Sequence, residues 1–228
     1  DTLFNAYDVY KEVPDLAASA KAAARDAAET AATAARSDAQ AAITDAESLI
    51  NKAKSAPYNL DMGEAEAILE TAKSALASGD ASMNAYNKLD EGTWSNLLTA
   101  RSKYMEAEST AEQAKAKAEE LIRSAAEQAI SDAEAAIEEA KSTPGASAEK
   151  ISEAETKLSE ARTRFGEGKY LDAILSARDA KSAAEAAITE TTSPPPAGPG
   201  PELTWILVAV ILIIIILIIV ALLLRRRG

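Results

Sequence analysis

The sequence predicts an all-α protein, and three observations support this fold class. Apolar residues make up 47% of the 228 residues but aromatic residues only 4%, so much of the apolar share is alanine. Alanine has the highest intrinsic helix propensity and buries little area, which favours long helices packed side by side over one thick core. Apolar residues recur at helical spacing through most of the chain, and one segment near its carboxyl end is almost wholly apolar.

Residues 1–14 form an aromatic N-terminal segment that differs from the alanine-rich sequence after it. Phe4, Tyr7 and Tyr10 lie close together, with no long periodicity behind them. We expect this segment either to cap the free end of the helical region or to contact a partner, and these three side chains are the candidate partner contacts.

The first repeat unit, residues 15–101, begins with a long helix near 14–56 that carries a seam of small residues. The seam follows the 4,3 spacing of a heptad, and its residues are Ala28, Ala32, Ala35, Ala39, Ala42, Ala46, Leu49 and Ala53. Such a seam brings helices close together. It must face either a helix of the same chain or another copy of the chain, which makes a homo-oligomer one of the two alternatives.

The second repeat unit, residues 102–188, is a duplication of the first. Residues 43–57 align with 130–144 at an offset of 87, and beyond the proline the match continues at an offset of 89 through Leu69 with Leu158 and Gly79 with Gly168. Each unit is predicted to run long helix, proline turn, shorter helix, glycine turn, third helix. Pro57 and Pro144 end the long helices.

We therefore predict helices near 14–56, 63–78, 93–142, 147–165 and 169–189. Glycines at 79 and at 166–168 are expected to stop helices. The two units would form antiparallel three-helix segments along a shared long helix, which gives an elongated coiled-coil-like rod. The expected small cores contain Leu76, Trp94, Leu97, Leu98 and Tyr104 in the first unit, and Leu158, Phe165, Tyr170 and Ile174 in the second.

Residues 189–202 and 203–224 are predicted to be a Pro-rich spacer and one C-terminal transmembrane helix. Proline and glycine at this density exclude helix and favour extended polyproline II. The following segment is long enough, at roughly 33 Å, to cross a bilayer core of roughly 30 Å. The anchor residues that we single out are interfacial Trp205, the central Ile213, Ile214, Ile215 and Ile216, and the tail Arg225, Arg226 and Arg227.

The tail at 225–228 sets the predicted topology. By the positive-inside rule its arginines lie in the cytoplasm and the N-terminal region lies outside a cell membrane crossed once. A tail anchor with the helical region in the cytoplasm is the competing topology. The chain starts at Asp1 rather than Met, so we expect either that a signal peptide has been removed or that this is a fragment of a longer chain.

Composition argues against several classes of function. The chain has no His and no Cys, so the commonest general base and the usual zinc ligands are missing, and we expect no enzyme activity, cofactor or metal. A net charge of −12 argues against a nucleic-acid partner. The predicted span contains no ionisable residue, so we expect it to contact lipid and only to anchor the chain.

Two resemblances bear on the helical region. The spacing of Ala161, Phe165, Gly168, Tyr170, Ala173, Ala177 and Ala180, near 158–182, resembles part of the tetratricopeptide helix-pair pattern, without that family's tryptophan, closing proline or 34-residue period. As a whole, an acidic alanine-rich rod, Pro-rich stalk, C-terminal span and Arg tail resemble the membrane-anchored stalk proteins of prokaryotic, especially archaeal, surface layers.

The second resemblance implies a structural protein of the cell surface. Its rod would hold a surface-layer (S-layer) lattice or another extracytoplasmic partner at a fixed distance from the membrane, generally through self-association of the coiled coil. The alternative is an extracytoplasmic helical binding module, or an accessory subunit of a larger membrane complex, whose bundles close within one chain.

Overall fold

The computed structural model describes the backbone of residues 2–192 and the side chains of residues 11–189. Within these residues the chain is helical and has no strand, which confirms the all-α fold class. The helices are α1 (Thr2–Lys54), α2 (Gly63–Asn84), α3 (Ser95–Ser142), α4 (Ala148–Gly166) and α5 (Tyr170–Thr192). A short 3₁₀ turn at Glu91–Thr93 precedes α3.

Most of the predicted helix ends follow from local chemistry. Helices α1 and α3 end shortly before Pro57 and Pro144, as the proline positions predict. Gly168, at φ +75, ends α4 in a Schellman motif: its N–H donates to the Phe165 carbonyl at 3.0 Å, and the next amide donates to the Arg164 carbonyl at 2.9 Å.

Two predicted boundaries are wrong. Helix α1 begins at Thr2 rather than near residue 14, so the backbone of the N-terminal segment belongs to the same helix and Pro14 lies inside it. Helix α2 continues through Gly79 to Asn84 instead of stopping at residue 78. Residue 79 is a glycine because helix packing leaves no room for a side chain there. In the sequence alone, such a glycine cannot be told from one that ends a helix.

The first three-helix bundle contains the second half of α1, all of α2 and the first half of α3. Its core joins Ala35 and Ala39 of α1 to Ala100 and Ala107 of α3 at one end. Further along, residues 43–53 of α1 meet residues 111–126 of α3. Helices α1 and α3 therefore run in the same direction and pack on each other, and α2 runs antiparallel to both.

The second bundle contains the second half of α3, α4 and α5, so α3 belongs to both bundles. Its core joins residues 133–140 of α3, residues 154–161 of α4 and residues 177–187 of α5. The bundles meet where Ile174 of α5 joins the core of the first one. There the Arg178 guanidinium donates to the Pro57 and Tyr58 carbonyls at 2.8 and 2.9 Å.

Only some of the residues of the predicted seam on α1 are buried. Ala32, Ala39, Ala46 and Ala53 are fully buried, but the larger buried side chains beside them are Ile43 and Ile50 rather than Ala42 and Leu49, which are half-buried, as is Ala28. At these two positions the buried stripe therefore lies one residue later than predicted, at 43 instead of 42 and at 50 instead of 49. Helices α2 and α3 of the same chain cover it, so the second half of the seam closes within one chain.

The duplication is visible in the burial pattern. Ala46, Ile50 and Ala53 have their counterparts in Ala133, Ile137 and Ala140, and every one of the six is at most 3% exposed. Ala72, one of the buried alanines of α2, likewise corresponds to the buried Ala161 of α4. The glycine pair departs from this equivalence, because Gly79 lies inside a helix and Gly168 follows one.

Among the predicted core residues, Leu97, Tyr104, Leu158 and Ile174 are buried. Leu76, Trp94, Phe165 and Tyr170 are half-buried. Leu98 is 64% exposed, so its assignment to the core is wrong. It follows Leu97 directly in a helix whose buried stripe already passes through Leu97, and the next residue therefore points away.

None of the helices in the described part of the chain is both long enough and apolar enough to cross a membrane. The predicted span at 203–224, with Trp205, Ile213, Ile214, Ile215, Ile216, Arg225, Arg226 and Arg227, lies outside the described residues, as does the spacer beyond Thr192. The first residues of the predicted spacer, up to Thr192, still belong to α5.

Candidate functional site

The end of the first bundle where α3 begins is held together by a polar cluster between three helices. The Arg36 guanidinium of α1 donates to both oxygens of Asp80 of α2, at 2.7 and 3.2 Å. The Tyr104 hydroxyl of α3 donates to the same carboxylate at 2.9 Å. Because Tyr104 is fully buried, its hydroxyl needs a partner, and Asp80 supplies one.

The pKa values of this cluster reflect the same contacts. The hydrogen bonds from Arg36, and then from Tyr104, lower the pKa of Asp80. Burial, followed by the hydrogen bond to Asp80, raises the pKa of Tyr104 from 10.0 to about 12. At neutral pH the tyrosine is therefore neutral and the aspartate charged, which is the pairing that the hydrogen bond requires.

Gly79 allows the Tyr104 ring to lie directly on α2. A Cβ atom at position 79 would be 2.5 Å from Cε1 and 2.6 Å from Cδ1 of that ring. These distances are well inside ordinary van der Waals contact, so residue 79 is a glycine because the ring takes the place of a side chain.

Beyond this cluster, the 85–94 connection covers one further stretch of α1. Lys21 Nζ lies 5.2 Å and the Arg25 guanidinium 5.8 Å from the Trp94 ring centroid, at distances typical of cation–π contacts. Lys21 also forms an ion pair with Glu91, and Lys88 lies 3.3 Å from Asp26. The start of α3 is therefore level with residues 21–25 of α1.

Helix α1 continues past this level, and its described side chains there are exposed. All side chains from Lys11 to Ala20 are exposed, and the helical backbone extends to Thr2. From Ala20 to Thr2 the helix rises about 27 Å at 1.5 Å per residue. We call residues 2–20 the overhang.

The large exposed hydrophobic side chains within residues 11–189 all lie at this end of the molecule. Two are on the overhang, one is in the 85–94 connection and two are near the start of α3: Val13 (54% exposed), Leu16 (65%), Leu89 (93%), Leu98 (64%) and Met105 (51%). We call the overhang together with these five side chains the tip. Scattered single exposed hydrophobics are normal, but their confinement to one end marks a candidate protein-binding surface.

Sequence reasoning found part of this surface. The predicted contacts Phe4, Tyr7 and Tyr10 lie on the overhang backbone, but their side chains fall outside the described ones. Leu89, Leu98 and Met105 were missed because they lie at the same end of the molecule as the first half of α1 only through the parallel packing of α1 and α3.

Many of the described acidic residues of the helical region form ion pairs along the helix surfaces. Glu66 pairs with Lys54, and Lys117 lies 3.0 Å from Glu64. Lys141 lies 3.0 Å from Glu138. Among the residues that the structure describes, no group of three acidic, His or Cys side chains is placed to hold a metal ion. These ion pairs join neighbouring helices or successive turns of one helix.

The helix pair α4–α5 contains the tetratricopeptide-like spacing. Ala161, Ala173, Ala177 and Ala180 are fully buried between these helices and α3. The Phe165 and Tyr170 rings stack across the turn, with centroids 5.1 Å apart and planes tilted by 58°. The pattern thus describes how one helix hairpin packs.

Comparison with protein-family models, curated proteins and solved structures finds no match for this chain.

Proposed function

We propose that this protein is a membrane-anchored helical stalk that holds an extracytoplasmic protein partner at a fixed distance from a cell membrane. The sequence at 203–224 anchors it, residues 189–202 lead to the anchor, and the arginines at 225–227 lie in the cytoplasm. The observation that carries the proposal is that, within residues 11–189, the large exposed hydrophobic side chains all belong to the tip.

The direction of α5 supports a stalk with its binding surface far from the anchor. The Ser147 N–H, just after α3, donates to the Ala187 carbonyl near the end of α5 at 3.1 Å. The chain therefore leaves the helical region at the end where α3 finishes. The tip lies at the end where α3 starts, about 70 Å away along its 48 residues.

The packing supports an elongated, coiled-coil-like rod of constant length. Helix α3 passes through both bundles without interruption. Its buried stripe between Ala107 and Ala118 consists of alanines that are 0% exposed, so neighbouring helices lie close to it. Arg178 ties the two bundles together at their junction. A rod built in this way sets a distance better than a flexible linker does.

The resemblance to surface-layer stalks makes a lattice protein one candidate partner. The second candidate function, a binding module or accessory subunit of a membrane complex, is favoured by the closure of the second half of the seam within one chain. Both functions place the partner at the tip. They differ in whether the length of the rod matters.

Two single-cysteine variants test the stalk. The chain has no cysteine, so a fluorophore placed at Ser95→Cys or Ser142→Cys is unique. Both positions are exposed. In the full chain inserted in lipid nanodiscs, energy transfer to an acceptor on the lipid headgroups is expected from residue 142 and not from residue 95. Equal transfer from the two sites would mean that the rod lies along the membrane, and the stalk proposal would be wrong.

A further inference from the structure

The first half of α1 carries an exposed stripe of alanines whose counterparts in the second unit are buried. At the offset of 87, its residues Ala20, Ala24, Ala27 and Ala31 correspond to four alanines of α3. Those counterparts, Ala107, Ala111, Ala114 and Ala118, are all 0% exposed. On α1, Ala20, Ala24 and Ala27 are exposed and Ala31 is half-buried. The same stripe is thus covered in the second unit and uncovered in the first.

In α3 this stripe is covered by other helices of the repeat. Ala107 packs in one cluster with Ala75 of α2 and with Ala35 and Ala39 of α1. The cover is therefore a set of helices with small apolar faces, and α2 runs antiparallel to α3. The uncovered stripe of α1 has the residues to accept the same kind of helix.

A second copy of this chain offers one suitable helix. Within residues 11–189, the alanine stripes on the second half of α1 and on α2 to α5 are already buried inside the two bundles. The first half of α1 is the long helix face that remains, so two copies would meet through the same face. A contact of this kind is a two-fold, self-complementary one.

Charge favours the same pairing. Residues 11–31 contain three basic side chains (Lys11, Lys21 and Arg25) and four acidic ones (Glu12, Asp15, Asp26 and Glu29), which gives a net charge of −1 against −12 for the whole chain. Two of these segments therefore repel each other little, although two whole chains brought together along their length would do so strongly.

The direction of the pairing follows from the position of the bundle. The stripe on the first half of α1 continues into the stripe that α2 and α3 cover. If two copies paired in parallel, the first bundle of one copy would therefore overlap with the first bundle of the other. In an antiparallel pair each overhang fills the place beyond the partner's 85–94 connection, next to the 93% exposed Leu89. The two bundles then point away from each other.

We propose that the tip binds a second copy of this chain, tip to tip, through antiparallel pairing of the first halves of the two α1 helices. This proposal rests on the tip of the proposed function and names its partner. It places the two C-terminal ends at opposite ends of the dimer, so that a dimer of stalks joins two membrane surfaces.

The first test is the mass of the full chain in detergent, measured by light scattering over a concentration series. A monomer–dimer equilibrium is expected. The double variant L16E/A20E places charges on the paired faces of both copies, where like charges oppose association, and we expect dimerisation to weaken by at least about tenfold. A116E/A135E is the matched control, because it adds the same number of charges at two exposed alanines of α3 that lie outside the tip, and it should dimerise like the parent chain.

The second test reads the direction of pairing. Energy transfer between copies labelled at Ser19→Cys is expected to be high, and between copies labelled at Ser142→Cys absent. A chain that is monomeric at every concentration, a dimer that survives L16E/A20E, or transfer between the Ser142 labels would each overturn the proposal. The stalk itself is judged separately, by the distance of residues 95 and 142 from lipid.

Discussion

The contact between Gly79 and Tyr104 predicts an unusual result for a glycine-to-alanine change inside a helix. Gly79 lies in the interior of α2. There an alanine normally stabilises the helix by about 1 kcal/mol. The added Cβ of Gly79→Ala would, however, lie 2.5 Å from Cε1 of the Tyr104 ring. Propensity and packing therefore act in opposite directions at this one position.

Packing should dominate, because the ring has nowhere to move. Tyr104 is fully buried, and its hydroxyl is bonded to Asp80 at 2.9 Å. Overpacking costs about 1–3 kcal/mol, and a weakened hydrogen bond to a charged acceptor costs about 1.5–3 kcal/mol. After the gain in helix propensity, we expect Gly79→Ala to lower the free energy of unfolding by about 2 kcal/mol. This corresponds to a melting temperature about 4–8 °C lower.

Thermal unfolding followed by circular dichroism measures this effect, with Gly166→Ala as the matched control. Gly166 is the last residue of α4, and a Cβ there would meet nothing within 4 Å. That change should be neutral or slightly stabilising. In a Tyr104→Ala background, Gly79→Ala should lose its cost, since the ring is gone. If Gly79→Ala stabilised the parent protein as much as Gly166→Ala does, the packing argument would be refuted.

Two further predictions concern polar contacts. Folding raises the pKa of Tyr104 from 10.0 to about 12. This group therefore stabilises the fold fully below pH 10, and its contribution is lost as the pH rises to 12. Denaturant titrations at several pH values should show a smaller loss of stability over this interval for Tyr104→Phe than for the parent protein. Arg178→Ala removes the two hydrogen bonds, at 2.8 and 2.9 Å, to the turn between α1 and α2, and urea unfolding should show about 1 kcal/mol less stability. Arg178→Lys, which keeps the charge, should recover part of it, and no change in either variant would mean that the junction depends on apolar contacts alone.

The sequence predicted the fold class and most helix ends because these depend on local chemistry. Alanine content, heptad spacing and the prolines at 57 and 144 act within a few residues of where they stand. The duplication predicted the order of helices in both units for the same reason, since each unit repeats its own local signals.

The errors arose where one residue serves a distant part of the chain. Gly79 has the sequence appearance of a helix stop, and only the ring of Tyr104, on another helix, explains it. Ile43 and Ile50 replaced Ala42 and Leu49 in the buried stripe because two neighbouring helices, rather than one, decide which face of α1 is covered. The tip could be predicted only in part, because its side chains come from separate segments that lie at one end of the molecule through the parallel packing of α1 and α3.

The central claim, that the rod holds its tip at a set distance from the membrane, is tested most directly by extending the lipid energy-transfer measurement to a ladder of positions. Single cysteines at Ser19, Ser95, Ser124 and Ser142 all lie on exposed helix surface. Residues 124 and 142 are about 27 Å apart along α3, and residues 95 and 142 about 70 Å. Transfer to labelled lipid should rise in the order 19, 95, 124, 142, with little signal from the first two. Equal transfer at all four positions, or the reverse order, would contradict the account.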